Sequence, residues 1–327
     1  MTRLERIIEL LATFDGITRK FVLPSIIDKV RTDSFKGDTP HGMGEDSAAI
    51  GTNSDDFVLL TTDAIVEDLC LNFPRAAGFN VVLANVMDIY AAGGNPTSFA
   101  VAVSYADAKI GEAMMAGLID GSHTFQIPIV RGHTNPKSTA TYIVGSATGT
   151  VHKSNLLTAG GAEDGDALVL IFDQEGQRGT SYKLGWDSVT DRPSEEVVKR
   201  LSVMNALAET EMIHASKDIS VAGVVGTAGM MLEYSGRGGC LALDSIDSVR
   251  PVSIDFDDWL RMFISLGFLV SVAPKDFQQL QAVSEEHGLS ATRIGVVNNT
   301  SQLSLKMGEE TRILFDFSSG PVLTPRN

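Results

Sequence analysis

Short apolar runs alternate with helical patterns along most of this 327-residue chain, and that alternation restricts the fold more than any other feature. Strand-like runs fall at 57–60, 98–104, 141–144 and 167–172, and helical periodicity appears at 77–91, 109–120 and 194–214. Beyond residue 218 the pattern resumes: a helix to about Tyr234, a strand at 240–243, a helix near 255–266, a strand at 268–273 and a helix at 275–287. Elements interleaved in this way build an α/β or α+β protein. The polar, glycine-rich stretch from Lys153 to Asp166 separates two halves, which predicts domains over residues 1–152 and 153–327. The opening stretch puts Leu4, Ile7, Ile8 and Leu11 on one helical face, the pattern of a docked first helix rather than of a secretion signal.

Charge narrows the function classes. Forty-one acidic residues against 26 Lys and Arg leave a net charge of −15, which repels nucleic acid and an anionic membrane surface. The longest apolar stretch, near 263–273, is interrupted by Ser and Gly and falls well short of the roughly 20 residues that span a bilayer. Cys70 and Cys240 stand far apart without metal-ligand spacing, a usage that fits a reducing cytoplasm.

The acids are unevenly placed. Residues 37–108 hold ten of them, Asp38 and Glu45 included, and a single Lys or Arg, Arg75. Asp55 and Asp56 read as a solvated turn, whereas Asp46 in GEDSAAI, Asp63 in TTD and Asp88 in NVMDIY sit among apolar or small residues. In the helical pattern ending at Tyr90, Phe79, Val82, Leu83, Val86 and Tyr90 form an apolar stripe, and Asn85 and Asp88 are neighbours on its flank at i and i+3. Two carboxylates about 4 Å apart repel by roughly 4 kcal/mol at an effective dielectric of 20, so a buried group of them needs a cation or dense hydrogen bonding. With no local Cys or His cluster, a hard cation held by oxygen, Mg²⁺ or Ca²⁺, is the first choice, and Mg²⁺ brings phosphates with it. Glycine-rich turns donating N–H groups are the alternative.

Asp218 opens KDISVAGVVGTAG, where it serves either as a helix N-cap or as a further ligand, and Gly223, Gly226 and Gly229 imply close approach of backbone, strand or ligand. Arg131-Gly132-His133-Thr134-Asn135 follows the strand-like 127–130 and sets polar groups at its carboxyl end; His133 is a base, a ligand or a hydrogen-bonding spacer. No GxxxxGK[ST] loop occurs, so a nucleotide would be held by a different fold.

In order, GEDSAAI, TTD, the segment ending NVMDIYAAGGNP, RGHT and KDIS before a glycine-rich helix resemble the superfamily of aminoimidazole ribonucleotide synthetase. Thiamine-monophosphate kinase, selenophosphate synthetase and a hydrogenase-maturation protein are other members. The resemblance implies a two-domain α+β fold, homodimerisation through a barrel of first-domain strands, and ATP held by Mg²⁺ in a cleft. It carries over Asp46, Asp63, Asp88 and Asp218 as metal ligands, with Asp46, Asp88, His133 and Asp218 as catalytic residues. Thr62 and Asn85 would be nucleotide contacts, and His133 and Thr134 part of the active-site wall. Arg131, Arg19, Lys20, Arg178 and Lys183 are candidate contacts to an anionic acceptor. Thiamine-monophosphate kinases carry GGDT and DISDGL where this chain has RGHT and DISVAG, no Cys precedes Cys70, and the synthetase's own GGET-type motif is absent. The best match is a separate branch with KDIS and Gly185-Trp186-Asp187.

The expected activity is phosphoryl transfer from ATP to a small-molecule acceptor. A ring-closing ligase and a non-catalytic nucleotide-binding regulator or assembly subunit are the alternatives, and a nucleotide-free Ca²⁺-binding protein is a third.

Overall fold

A computed structural model describes residues 1–35 and 42–325, so Asp38 lies outside the described residues. The described residues form a mixed α+β structure with three sheets. The first sheet contains β1 (Ala48–Gly51), β2 (Asp56–Ala64), β3 (Asn95–Tyr105), β4 (Ile129–Pro136) and β5 (Tyr142–His152), in the spatial order β1-β2-β5-β3-β4. All neighbours are antiparallel except β3 and β4. Alternation along β2 sends Leu59, Thr61 and Asp63 to one face and Leu60 and Thr62 to the other. The first face is covered by helix Pro74–Ala91, which packs in turn on helix Ala108–Thr124. Gly78 and Gly117 let these helices meet: a Cβ on Gly78 would lie 2.8 Å from the Leu118 nitrogen.

The seven-stranded sheet runs, edge to edge, through Glu310–Asp316, Gln302–Met307, Gly238–Ala242, Ser290–Asn298, Ala167–Phe172, Phe268–Val272 and Ile213–Asp218. Both its faces are covered. Val169, Ile171, Phe268 and Val270 join the core that contains helix Pro74–Ala91, while Leu168, Leu170, Phe172 and Leu269 join a second core. One apolar strand therefore supplies two cores, which explains why 167–172 is a continuous apolar run rather than an alternating one. The first helix, Arg3–Ala12, buries Leu4, Ile7 and Leu11 in that second core, among residues of the C-terminal half. Its sequence neighbours up to residue 152 mostly build the other core. Helix Gly223–Tyr234 runs through the second core with every residue buried.

Two helical expectations shorten in the structure. The pattern over 194–214 becomes helices Ser194–Leu201 and Val203–Ala208 followed by a strand from Ile213, and that over 255–266 becomes a single turn, Phe256–Trp259, with a short strand at Phe263–Ile264. Cys70 packs in the first core and Cys240 is half-buried; both are free thiols, and burial raises the pKa of each. No described helix is long and apolar enough to cross a membrane.

Candidate functional site

Three elements that are far apart in sequence deliver carboxylates to one point. Asp46 comes from the turn before β1, Asp88 from the last turn of helix Pro74–Ala91, and Asp218 from the end of the strand Ile213–Asp218. One oxygen from each lies within 4.8 Å of the others. Asp63, pointing to the helix side of β2, adds a fourth carboxyl that hydrogen-bonds Asp88. Gly44 makes the approach of Asp46 feasible, since it holds a φ of +110° and a Cβ there would run into the Tyr234 ring.

The carboxylates are held in place rather than free. Thr61, one residue before the outward-facing Thr62, donates its hydroxyl to Asp88 Oδ2, and Ser47 Oγ donates to the Asp88 carbonyl at 3.2 Å. Asp46 accepts on both oxygens: from Lys217 Nζ on Oδ1, and from the Asp218 backbone N–H on Oδ2 at 3.2 Å. The Lys217 and Asp46 side chains are each only 8% exposed, which makes this the most enclosed ion pair at the cluster. Glu45, the neighbouring acid, turns away and accepts from the Ala159 N–H at 2.5 Å.

Proton affinities follow from this crowding. Desolvation first, then the charges of Asp63, Asp218 and Asp46, push the Asp88 carboxyl well above the ordinary carboxylate range. Desolvation also raises Asp63, against its hydrogen bond to Asp88, and with Asp46 it lifts Asp218 to about 8. For Lys217, burial alone would pull the ammonium down, but Asp46 and Asp218 together outweigh it and hold the pKa above its ordinary value. Lys20 is half-buried; desolvation and Lys217 lower its pKa while Asp218 and Asp63 act in the opposite sense. Of the other candidate cations, Arg19 pairs with Asp15, and Arg178 with Asp258 at 2.8 Å.

The remaining sequence-derived positions lie elsewhere. Thr62 faces away from the cluster and donates to the Gly145 carbonyl at 2.9 Å. Asn85 is fully buried and donates to the Val81 carbonyl at 2.8 Å, while its Oδ1 has no hydrogen-bond partner among the described residues. The RGHT segment does not follow a strand but forms the middle of β4, an edge strand exposed along its whole length. Row pairing aligns Thr62, Ser146, Ala100 and Arg131 across the sheet, with Ala64, Val144, Ala102 and His133 in another row, so Arg131 and His133 share the open face with Thr62. Three strand spacings, about 14 Å, separate β2 from β4. Within one chain, then, Arg131, His133 and Thr134 do not join the carboxylates. Asp218 is likewise no helix cap: the following helix starts at Gly223 and caps on Ala222, and a Cβ on its Gly226 would lie 2.9 Å from Ile17 Cγ1, so the glycine leaves room for that side chain.

Sequence reasoning missed Lys217 and Thr61. The signal for Lys217 is present in the sequence, a lysine beside Asp218 in a stretch of small and apolar residues.

The carboxylate set fits a hard divalent cation, because its donors are all oxygens, drawn from three separate elements, and no Cys or His is among them. At 4.8 Å, two ionised carboxylates repel by about 3 kcal/mol at an effective dielectric of 20, and the single paired ammonium offsets only part of that.

Comparison with known proteins agrees with this architecture. Residues 44–151 match the AIR synthase related protein N-terminal domain and residues 163–308 its C-terminal domain. The uncharacterized protein sll0787 of Synechocystis sp. is 34% identical over 284 residues, covering 86% of this chain and 85% of that protein. Selenide, water dikinase of Pelobacter propionicus is 26% identical over 290 residues, 76% of this chain and 82% of its own length. Among solved structures, T. maritima PurL complexed with ADP superposes with a TM-score of 0.75 at 14% identity over 93% of this chain. This chain spans 50% of that PurL. The two family domains, the carboxylate cluster between them and the matching fold together mean that this chain belongs to the AIR synthase related family.

Proposed function

We propose that this protein is an ATP- and Mg²⁺-dependent phosphotransferase acting on a small, anionic acceptor, and that it works as a homodimer. The observation that carries the reading is the convergence of Asp46, Asp88 and Asp218 within 4.8 Å, with Asp63 beside them. ADP bound to T. maritima PurL and the dikinase named among the relatives support it. Bound Mg²⁺ would neutralise the triphosphate and the charge that moves with its terminal phosphoryl group.

The chain's own residues prepare that surface. Thr61 and Ser47 fix Asp88, the Asp218 N–H fixes Asp46, and Lys20 supplies positive charge at the same end for an acceptor. Arg131 and His133 belong to the open face of the first sheet, which also carries Leu60 and Tyr142, each 41% exposed. A sheet with an open face that exposes Leu60 and Tyr142 among polar residues, and with an edge strand, β4, that has one strand partner among the described residues, has the form of half an interface, which supports the homodimer.

Calorimetry of ATP with and without Mg²⁺, followed by ADP release over a panel of anionic acceptors, tests the reading. Mg²⁺-dependent binding that Asp88→Asn abolishes, with acceptor-stimulated ADP release, is the expected result. Tight Mg-ATP binding with no turnover on any acceptor would instead indicate a regulator or assembly subunit. A cyclic product in place of a phosphorylated one would indicate a ring-closing ligase.

A further inference from the structure

The motif KDIS contributes two charged side chains, Lys217 and Asp218, and only the aspartate is a candidate ion ligand. Lys217 is 6% exposed and points its ammonium at Asp46 Oδ1. The second oxygen of Asp46 already accepts the Asp218 N–H at 3.2 Å. A carboxylate has lone pairs enough for further contacts, but an ammonium against one oxygen repels a second cation there. Asp63, Asp88 and Asp218 have no ammonium or guanidinium within salt-bridge distance among the described residues. The four carboxylates are thus unequal: one is neutralised from within the chain, and three remain for ions.

We propose that Lys217 acts as a built-in cation that takes Asp46 out of the metal shell and fixes the number of divalent ions the site accepts. It is a positioning residue: it holds Asp46 in place and sets the charge left over for metal at Asp63, Asp88 and Asp218. Lysine suits the task as a compact point charge on a long stem, and here its side chain is 8% exposed with the ammonium against Asp46 Oδ1. This inference rests on the divalent-ion reading of the site.

The test counts Mn²⁺ bound to the full-length protein, by electron paramagnetic resonance of free Mn²⁺ during titration, without nucleotide. Circular dichroism and thermal melts accompany each variant. Lys217→Met should bind about one additional ion per chain, or bind Mn²⁺ at least tenfold more tightly, because Asp46 becomes available. Lys217→Arg should keep the wild-type count. Should Lys217→Met fail to fold, Asp46→Asn decides: it should leave the number of ions unchanged, whereas Asp88→Asn should remove at least one. An equal loss in Asp46→Asn and Asp88→Asn, or an unchanged count and affinity in folded Lys217→Met, overturns the role of Lys217 and leaves the ion site standing. No Mn²⁺ bound by the wild type overturns both.

Discussion

Replacing Asp218 with Asn should make the metal-free protein more stable, although it removes a buried residue of the site. The folded chain lifts the Asp218 carboxyl from its ordinary 3.8 to about 8, first through desolvation and then through the charge of Asp46. Each factor of ten in proton affinity is worth about 1.4 kcal/mol, so full ionisation costs the fold on the order of 5 kcal/mol. The sign follows from linkage: between those two pKa values the folded state holds more protons than the unfolded state, so stability falls as pH rises from about 4 to about 8 and levels off above. Asp88 and Asp63 shift in the same direction, so the step belongs to the cluster as a whole. Asn cannot ionise and escapes Asp218's share. Urea denaturation in a chelating buffer at pH 5 and pH 9 measures the effect. Wild type should lose stability between the two, and Asp218→Asn should exceed it at pH 9 by roughly 2–5 kcal/mol. Added Mg²⁺ should then stabilise the wild type much more than the variant. A variant less stable than wild type at pH 9 in chelator would refute the reasoning.

Three further outcomes are expected. Glu233, buried in helix Gly223–Tyr234, accepts the backbone N–H groups of Val322, Leu323 and Thr324 at 2.6, 2.7 and 3.0 Å; Glu233→Ala should cost about 3 kcal/mol by urea denaturation, and a loss below about 1 kcal/mol would show that the tail finds other partners. Leu60→Glu, on the open sheet face, tests the proposed homodimer: it should halve the mass seen by light scattering while the circular dichroism spectrum is kept, and a persisting dimer would move the interface elsewhere. Thr61→Val removes the hydroxyl that holds Asp88 and should weaken Mg²⁺ affinity by about 1 kcal/mol, read by calorimetry; unchanged affinity would mean that Asp88 is positioned by packing alone.

Much of the fold was legible because its signals are local. The stripe Leu4, Ile7 and Leu11 announces an amphipathic helix, and the run over 167–172 announces a buried strand. Which core each element joins was not legible: nothing within residues 3–12 states that they pack against the C-terminal half, since that depends on surfaces hundreds of residues away. The aspartates stood out because a charge among apolar residues is costly wherever it falls. Their partners did not, because Lys217 reaches Asp46 across 171 positions and sequence spacing carries no sign of that meeting. RGHT misled for a related reason. Its polar residues resemble a loop after a strand, yet they continue β4, where an edge strand with an open face tolerates them. Asn85 and Asp88, neighbours at i and i+3, have different partners in the structure: Asn85 donates to the Val81 carbonyl, and Asp88 joins the carboxylate cluster.

The account stands on divalent ions bridging these carboxylates to a triphosphate. Its most direct test is a crystal structure of the protein with Mg²⁺ and a non-hydrolysable ATP analogue. It should show ions at roughly 2.1 Å from oxygens of Asp63, Asp88 and Asp218 and from the phosphates. Phosphates bound away from the cluster, or a cluster that keeps only its protein hydrogen bonds with nucleotide present, would contradict it.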